Sequence, residues 1–583
     1  MSAFDFGHLS ERRRAEREAK KRKRIAIGLG ITLTILILLA SGAFAVAQHS
    51  KHATQPRKTT TSKANGANAG TKEIATSSKV IKLLCNSTDY KTDCESTLKN
   101  ATGSDPKDLI KASIKAVAGE VKKGFAKASQ LKTDDPKVKG AIADCNELLD
   151  HAKDELESTI ANIDGEKMSS KSNDLKNWMS AVMSYQQTCI DGFPEGDLKS
   201  KMEDGMKSAK KMTSNALAII NEAASILSTL EIPGFTHPRL LQEESSNGGL
   251  PDWMSTEDRR LLKEKAKPPP NVVVAKDGKF TTINAALKAM PKKYTGRYVI
   301  YVKEGIYEEQ VIITKDMVNV TIYGDGSRKT IVTSSKNFVD GTRTFQTATF
   351  AAIGDGFMAQ DIGFRNSAGA IKHQAVALRV QSDRSVFLNC RMEGYQDTLY
   401  VQTHRQFYRS CVIAGTIDFI FGDAAAVFQN CQMVVRKPLD NQQNIVTAQG
   451  RVDRHQSTGI VIQKCKIQPD KKLIPVMKKI KSYLGRPWKE YSRTIVMETT
   501  IGDLIHPDGW LPWEGDFALK TLEYGEYNND GPGAAVSARV KWPGYKVINK
   551  QQALTFTVEK FIQGREWIKA INSGTPVRLT LFN

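Results

Sequence analysis

The sequence predicts an all-α helical bundle followed by an all-β, right-handed parallel β-helix, both carried behind an N-terminal apolar span. Three observations predict this. An uncharged run of 23 residues fills 25–47, and apolar residues recur at helical spacing between about 78 and 230. From Asn271 onward, a block of apolar residue, two spacers, Cys, spacer and apolar residue returns four times in strand-rich sequence. At 583 residues the chain exceeds one ordinary core, and its formal net charge of +21 asks for an anionic partner. No recognition helix, zinc finger or RNA-binding motif is present, so that partner is not expected to be a nucleic acid.

Residues 1–24 carry nine Lys/Arg against four Asp/Glu, which holds them on the cytoplasmic side of a membrane. The run 25–47 is long for the apolar core of a cleaved signal peptide, so a type II signal-anchor is expected. Everything beyond it then enters the secretory route and reaches the cell exterior. Glycosylation sequons at Asn86, Asn100 and Asn319, and eight cysteines that all lie past the span, agree with that compartment. Residues 48–77 are rich in Ser, Thr, Lys and Ala and read as a flexible tether. In the bundle segment, 78–230, Asp105-Pro106 and Asp135-Pro136 are N-cap and first-turn pairs. After the second, Val138, Ile142, Cys145, Leu149, Ala152, Leu156 and Ile163 trace a helical stripe. Residues 231–270 form an exposed linker, where Arg259-Arg260-Leu261-Leu262 suits a basic-site processing protease and Arg239-Leu240-Leu241 offers a second site.

In the last region, 271–583, the repeat reads "FLNCRM", "YRSCVI", "FQNCQM" and "IQKCKI", with Cys390, Cys411, Cys431 and Cys465 separated by 21, 20 and 34 residues. A period near 20 means stacked coils of parallel strands, the longer interval being one coil with an insertion or two coils. One helix, in "FTTINAALKAM", intervenes early. Asp397 (in "GYQDTLY") and Asp418 (in "GTIDFIFG") share the same step of 21, and Gln374 precedes Gln396 by 22. Equivalent positions on neighbouring coils lie about 4.8 Å apart. Gln374, Gln396, Asp397 and Asp418 are therefore expected as one polar column. Two carboxylates so close titrate in split steps, one donating a proton while the other stays an anion, as a general acid and a nucleophile require. In "YLGRPWKEYSRT", Arg486 can hold a carboxylate and Trp488 can stack on a sugar ring. Cysteines on adjacent coils fall within disulfide range for both Cys390–Cys411 and Cys411–Cys431, and spacing does not choose between them.

Together "EGIYEE", "QAVAL", "GYQDTLY", "GTIDFIFG" and "YLGRPW" resemble, in order, the signature blocks of plant pectin methylesterases. The segment 78–230 resembles the pectin methylesterase inhibitor domain, a four-helix bundle with two disulfides. The whole is similar to a type I (group 2) precursor with an inhibitor-like pro-region. The resemblance implies hydrolysis of C6 methyl esters of homogalacturonan in the plant cell wall, releasing methanol, with no cofactor and no metal. It implies Asp418 as nucleophile, Asp397 as acid and then base, Gln396 supported by Gln374 for the oxyanion, and Arg486 as the orienter of Asp418. Thr344, Gln374, Arg486 and Trp488 would contact galacturonate. It also selects the disulfides Cys411–Cys431, Cys85–Cys94 and Cys145–Cys189, leaving Cys390 and Cys465 as thiols. Implied partners are methyl-esterified pectin, an inhibitor domain, a processing protease acting before the mature enzyme, and a membrane until that cleavage.

Other chemistries fit less well. There is no Gly-x-Ser-x-Gly elbow, and "YGDGSRKT" lacks the Gly-Lys-Ser/Thr ending of a phosphate loop. His373, His404, His455 and His506 have no metal-ligand spacing and read as surface or groove residues. A pectin glycosidase or lyase, or a non-catalytic pectin-binding wall protein, would share the basic solenoid, but methanol release separates the esterase from all three.

Overall fold

The structure, a computed structural model, describes residues 78–101, 103, 105–163, 168–229, 267, 269–568 and 577–582. The apolar run 25–47 and the linker site Arg259–Leu262 lie outside the described residues. Among the described residues no helix is long and apolar enough to cross a membrane.

After a helical segment at 78–85 come α1 (Lys91–Lys99), α2 (Pro106–Ser129), α3 (Pro136–Ile163), α4 (Met168–Asp191) and α5 (Asp197–Thr229). The last four pack as a bundle, each against two neighbours. Both Asp-Pro pairs start helices. Asp105 accepts the Lys107 amide at 2.7 Å and Asp135 the Lys137 amide at 2.8 Å, with proline at the first helical position. The α3 stripe turns Val138, Ala141, Cys145, Leu148, Ala152 and Leu156 inward. Disulfides join Cys85 to Cys94 and Cys145 to Cys189, the second tying α3 to α4.

From Val272 the chain winds a β-helix whose strands form three wholly parallel sheets of eleven, seven and eight strands. One coil runs through Leu378–Val380, Ser385–Leu388 and Arg391–Glu393, and the next through Leu399–Val401, Arg405–Arg409 and Val412–Gly415. The Cys repeat is the turn between the second and third strand of each coil. The residue before each cysteine is left-handed: Asn389, Ser410, Asn430 and Lys464 have φ of 52°, 53°, 54° and 54°. The residue three before it points into the core. Phe387, Tyr408 and Phe428 stack there with centroids 4.8 and 4.5 Å apart. Cys431 registers directly with Cys465, since Gln432 pairs with Lys466, so the 34-residue interval is one enlarged coil.

Two expectations fail. Cys411 and Cys431 are not bonded; all four β-helix cysteines are free and buried. In-register parallel strands point their side chains the same way, so the Cα spacing is suitable but the sulfurs run alongside one another. Each sulfur is also engaged: Cys431 Sγ accepts the Cys411 amide at 3.4 Å and Cys465 Sγ the Cys431 amide at 3.2 Å. The Thr499 hydroxyl takes the same part on the next coil, at 3.2 Å from the Cys465 amide. The helical content at the C-terminus was also missed. Helices Lys550–Leu554, Val558–Phe561 and Gly564–Trp567 cover the eleven-stranded sheet, packing Phe556, Val558, Ile562 and Trp567 on Phe407, Val427, Val461 and Ile495. Helices of four or five residues are too short to show a 3.6-residue period.

Candidate active site

The seven-stranded sheet turns one face to the core and the other outward. Leu399 and Val401 point in, while the residue between them, Tyr400, points out. Asp397 stands two residues before the strand Leu399–Val401, and Asp418 two before Ile420–Gly422. Leu399 pairs with Ile420, so the aspartates occupy equivalent turn positions on adjacent coils. Both are left-handed, with φ of 61° and 51°, a conformation that aspartate tolerates better than most residues. The same register puts Val376 one coil before them and Ile445 one coil after. The acidic column is therefore two residues long, bounded by apolar ones, and Gln374 sits one residue out of register with Gln396.

Their surroundings differ. Arg486 grips Asp418 with both arms of its guanidinium, Nε to Oδ1 at 2.8 Å and Nη2 to Oδ2 at 2.5 Å. Asp397 is equally buried. Desolvation first, and then the Asp418 charge, push its carboxyl well above the usual carboxylate range, with Arg486 opposing. The Arg486 guanidinium lies 4.3 Å from the Trp513 ring centroid, and its interaction with Asp418 raises its own pKa despite burial. One carboxylate is thus gripped by a fixed cation, while its neighbour is held as an acid.

A match to the pectinesterase family covers residues 271–565, and a match to the plant invertase/pectin methylesterase inhibitor family covers 79–219. The chain belongs to the pectinesterase family. It is 50% identical to pectinesterase/pectinesterase inhibitor 45 of Arabidopsis thaliana over all of both chains. It is 45% identical to pectinesterase 3 of Citrus sinensis, covering 86% of this chain and 88% of that one. The solved pectin methylesterase from carrot covers 55% of this chain and 100% of its own, at 53% identity and a TM-score of 0.53.

Around the pectinesterase aspartates the structure gathers Gln396, Arg486 and the half-buried Gln374, whose carbonyl accepts the Phe338 amide at 2.9 Å. Trp488 lies further along the outward face, edge-on to Phe421 with centroids 5.9 Å apart. Thr344 opens the one-turn 3₁₀ helix Thr344–Gln346 between Arg343 and Phe345. Asn86, Asn100 and Asn319 are all exposed.

What the sequence reading missed is that the groove is covered. The outward residues Phe345, Val376, Tyr400, Phe421 and Ala448 share one apolar cluster with the inhibitor domain, and Trp488 packs against it. Around that cluster, bundle carboxylates meet pectinesterase cations. Asp144 of α3 accepts from Arg343 at 2.6 and 3.0 Å and from Gln346 at 2.8 Å. Glu155 accepts from Lys315 at 2.8 Å, and Asp174 of α4 from Arg405 at 2.7 Å and Arg384 at 3.1 Å. Asp191 accepts from Lys489, beside Trp488, at 2.6 Å. His404, expected as a surface or groove residue, is buried in this contact between Asn177 (3.0 Å), Tyr185 (3.2 Å) and Glu155 (3.4 Å). The register carried one usable signal: Tyr400 and Phe421 each stand three residues after an aspartate and stack at 4.3 Å.

Proposed function

We propose that the pectinesterase domain hydrolyses the C6 methyl ester of galacturonan through a covalent intermediate on Asp418. The observation that carries this reading is the contrast between the two registered carboxylates. Asp418 Oδ attacks the ester carbonyl carbon, and the negative charge moves to the carbonyl oxygen, where the Gln396 and Gln374 amides donate hydrogen bonds. The tetrahedral adduct collapses, the bond to methoxide breaks, and the proton held by Asp397 completes methanol. An anhydride between Asp418 and the galacturonate remains. Asp397, now a carboxylate, takes a proton from water, and the hydroxide adds to the anhydride carbonyl and frees both acids. Arg486 keeps the Asp418 oxygens oriented in both halves, while Thr344 and Trp488 contact the sugar. Asp418→Asn keeps the shape and removes the nucleophile, so methanol release from methylated pectin should vanish while the protein stays folded. Wild-type turnover in that variant would refute the assignment.

The inhibitor domain, docked over the same groove, acts as a pro-region that keeps the esterase silent until the linker is cut near Arg259–Leu262. Residues 25–47 hold the precursor in the endomembrane as a type II anchor, and the glycosylated enzyme released from them acts in the cell wall. Docking of the bundle on Phe345, Tyr400 and Phe421 supports this reading. N-terminal sequencing of enzyme recovered from the wall tests it: a start shortly after Leu262 is expected, and a start before Lys79 would refute it.

A further inference from the structure

Arg436 stands in the same layer of turns as the two aspartates. It follows Val435, which pairs with Gly415, and Ala414 pairs in turn with Glu393. Continued by one residue, that register sets Arg436 opposite Thr416 and, one coil further back, Tyr395, which directly precedes Gln396 and Asp397. Its own amide donates to the Gly415 carbonyl at 2.8 Å, at the head of the Asp418 turn. Its side chain passes over that turn to the one before. Nη1 donates to the Gly394 carbonyl at 2.8 Å and Nη2 to the Tyr395 hydroxyl at 3.3 Å, while the guanidinium carbon lies 4.1 Å from the Tyr395 ring centroid. The neighbouring Lys437 takes the usual course of a surface cation and reaches the exposed Asp440 at 3.1 Å.

What Arg436 grips is a turn with little slack. A Cβ on Gly394 would lie 2.8 Å from Thr398 Oγ1, and one on Gly415 would lie 2.6 Å from the same atom and 2.8 Å from the Tyr395 carbonyl oxygen. The buried Thr398 hydroxyl is within hydrogen-bonding reach of the Tyr395 carbonyl, at 3.0 Å, and the Ala414 carbonyl, at 3.2 Å. Between the coils the Thr416 amide donates to the Tyr395 carbonyl at 2.9 Å, and the Asp397 amide to the Ile417 carbonyl at 3.0 Å. These bonds fix the turn from the inside and from the following coil. Its outer side, which carries the Gly394 carbonyl and the Tyr395 ring, is held by Arg436. The charges that move the Asp397 carboxyl are those of Asp418 and Arg486, so what Arg436 supplies is a place for the turn and not a field at the acid.

We infer that Arg436 is a positioning residue of the esterase: it clamps the turn 394–397 from two coils away and so sets where the Gln396 amide and the Asp397 carboxyl stand relative to Asp418. The inference rests on the esterase reading above and adds the group that keeps its acid and its oxyanion donor in place. A general acid must come within about 2.6–3.2 Å of the oxygen it protonates, and a displacement of ~1 Å can cost about 10²-fold in rate. A guanidinium suits this task better than an ammonium. Its plane covers the tyrosine ring while its edge donates to the carbonyl and the hydroxyl together.

The test measures kcat and KM for methanol release from methylated pectin by the full chain, as parent, Arg436→Gln and Arg436→Lys. The grip lies within the pectinesterase domain, so the fraction of molecules whose groove is covered is common to all three. In Arg436→Gln kcat should fall about 10- to 10²-fold with KM unchanged, and Arg436→Lys, which keeps a donor but not the plane, should fall between. A rise in KM at full kcat would make Arg436 a substrate contact, and parent-like values in both variants would leave it no part in the reaction; either result overturns the inference. A mutant cycle with Gln396→Ala adds a readout that a general loss of structure would not move. The Arg436→Gln loss should shrink where the oxyanion donor is already gone, and additive losses would overturn the inference. Hydrogen exchange reads the turn directly: the peptide 394–401 should exchange faster in Arg436→Gln while the strand Asn444–Gln449 keeps its rate. Equal protection of 394–401 in the two proteins overturns the clamp. If Arg436→Gln melts far below the parent, the lysine variant decides by the same measures. A parent that releases no methanol refutes the esterase reading instead, and exchange then still decides whether Arg436 holds the turn.

Discussion

Gly140 is where the docked pair Asp144–Arg343 can be broken without deleting a charge. It lies in the first turns of α3, and a Cβ built on it would stand 1.7 Å from Arg343 Nη1 and 2.3 Å from Cζ. Gly140→Ala therefore expels the guanidinium from its place against the helix. The substitution also raises helix propensity, by about 1 kcal/mol. That gain is common to the docked and undocked bundle and drops out of the docking equilibrium. What remains is the lost bidentate contact to Asp144, a buried carboxylate left with Gln346 alone. Truncating one partner of such an interfacial pair typically costs about 2–5 kcal/mol. The Arg343 side chain is 23% exposed and can re-aim into solvent, which places the effect near ~2 kcal/mol, or about a 30-fold rise in the open fraction. The assay is methanol release by uncleaved chain carrying Arg259→Ala and Arg260→Ala, where rate tracks the open fraction while that fraction is small. Gly119→Ala in α2 is the control, because a Cβ there meets nothing within 4 Å. An equal rise in the control, or no rise in Gly140→Ala, would refute the reasoning.

Further outcomes follow from the same geometry. Asp397→Asn and Asp418→Asn should both lose activity but move thermal stability in opposite directions. The raised Asp397 carboxyl disfavours folding once pH exceeds its unfolded value, so its amide should melt higher at neutral pH, whereas the Asp418 amide strands Arg486 and should melt lower. Arg486→Lys replaces a two-armed grip by one contact and should lower kcat about 10²-fold or more, read as methanol release. Docking should also depend on pH. Burial lowers the His404 pKa, but Glu155, Asp383 and Asp355 outweigh it and raise the value above 6.5. Burial, Lys315 and Arg379 press His151 down to about 4. As pH falls through the raised His404 value, the Glu155 contact, which only the docked bundle supplies, favours the protonated ring and docking tightens. Below 6.5 docking must strip His151, a cost that grows until about pH 4. The methanol rate of uncleaved chain, divided by that of cleaved enzyme, should be lowest near pH 6.5, and His404→Gln should flatten the alkaline side.

Much of the β-helix was legible because one turn recurs. Its left-handed residue, its inward aromatic three before the cysteine, and the cysteine itself all leave letters at fixed spacing, and the aspartates inherit the same step. Spacing stops at the backbone, however. It placed Cys411 and Cys431 on neighbouring coils but not the direction of their sulfurs, which parallel register aligns toward separate amides. The column was overread at Gln374 for a related reason. The step from Leu378 to Leu399 is 21 residues, so an interval of 22 leaves Gln374 one residue short of the position that registers with Gln396. His404 has no sequence signature at all, since its partners come from 219 to 249 residues away in helices whose outward faces read as solvated.

The same limit governs the charge. A net +21 names an anionic partner but not which one comes first. In the folded chain Arg343, Lys315, Arg384 and Lys489 already meet carboxylates supplied by the bundle. Those carboxylates fall at Asp144 and Glu155, on one face of α3, and at Asp174 and Asp191 of α4, around the aromatic strip Phe345–Tyr400–Phe421. A pectic chain presents the same two things, a spaced row of carboxyl groups and sugar faces that stack on rings. The bundle therefore meets the groove with charges and contacts of the substrate's own kind. Tethering places it there at an effective concentration of order mM, which a dissolved polymer with the same contacts cannot match while the linker is whole. If the linker is cut as proposed, that advantage is lost without altering a single residue of the groove, and the cations that held the bundle are left to meet an acidic polymer.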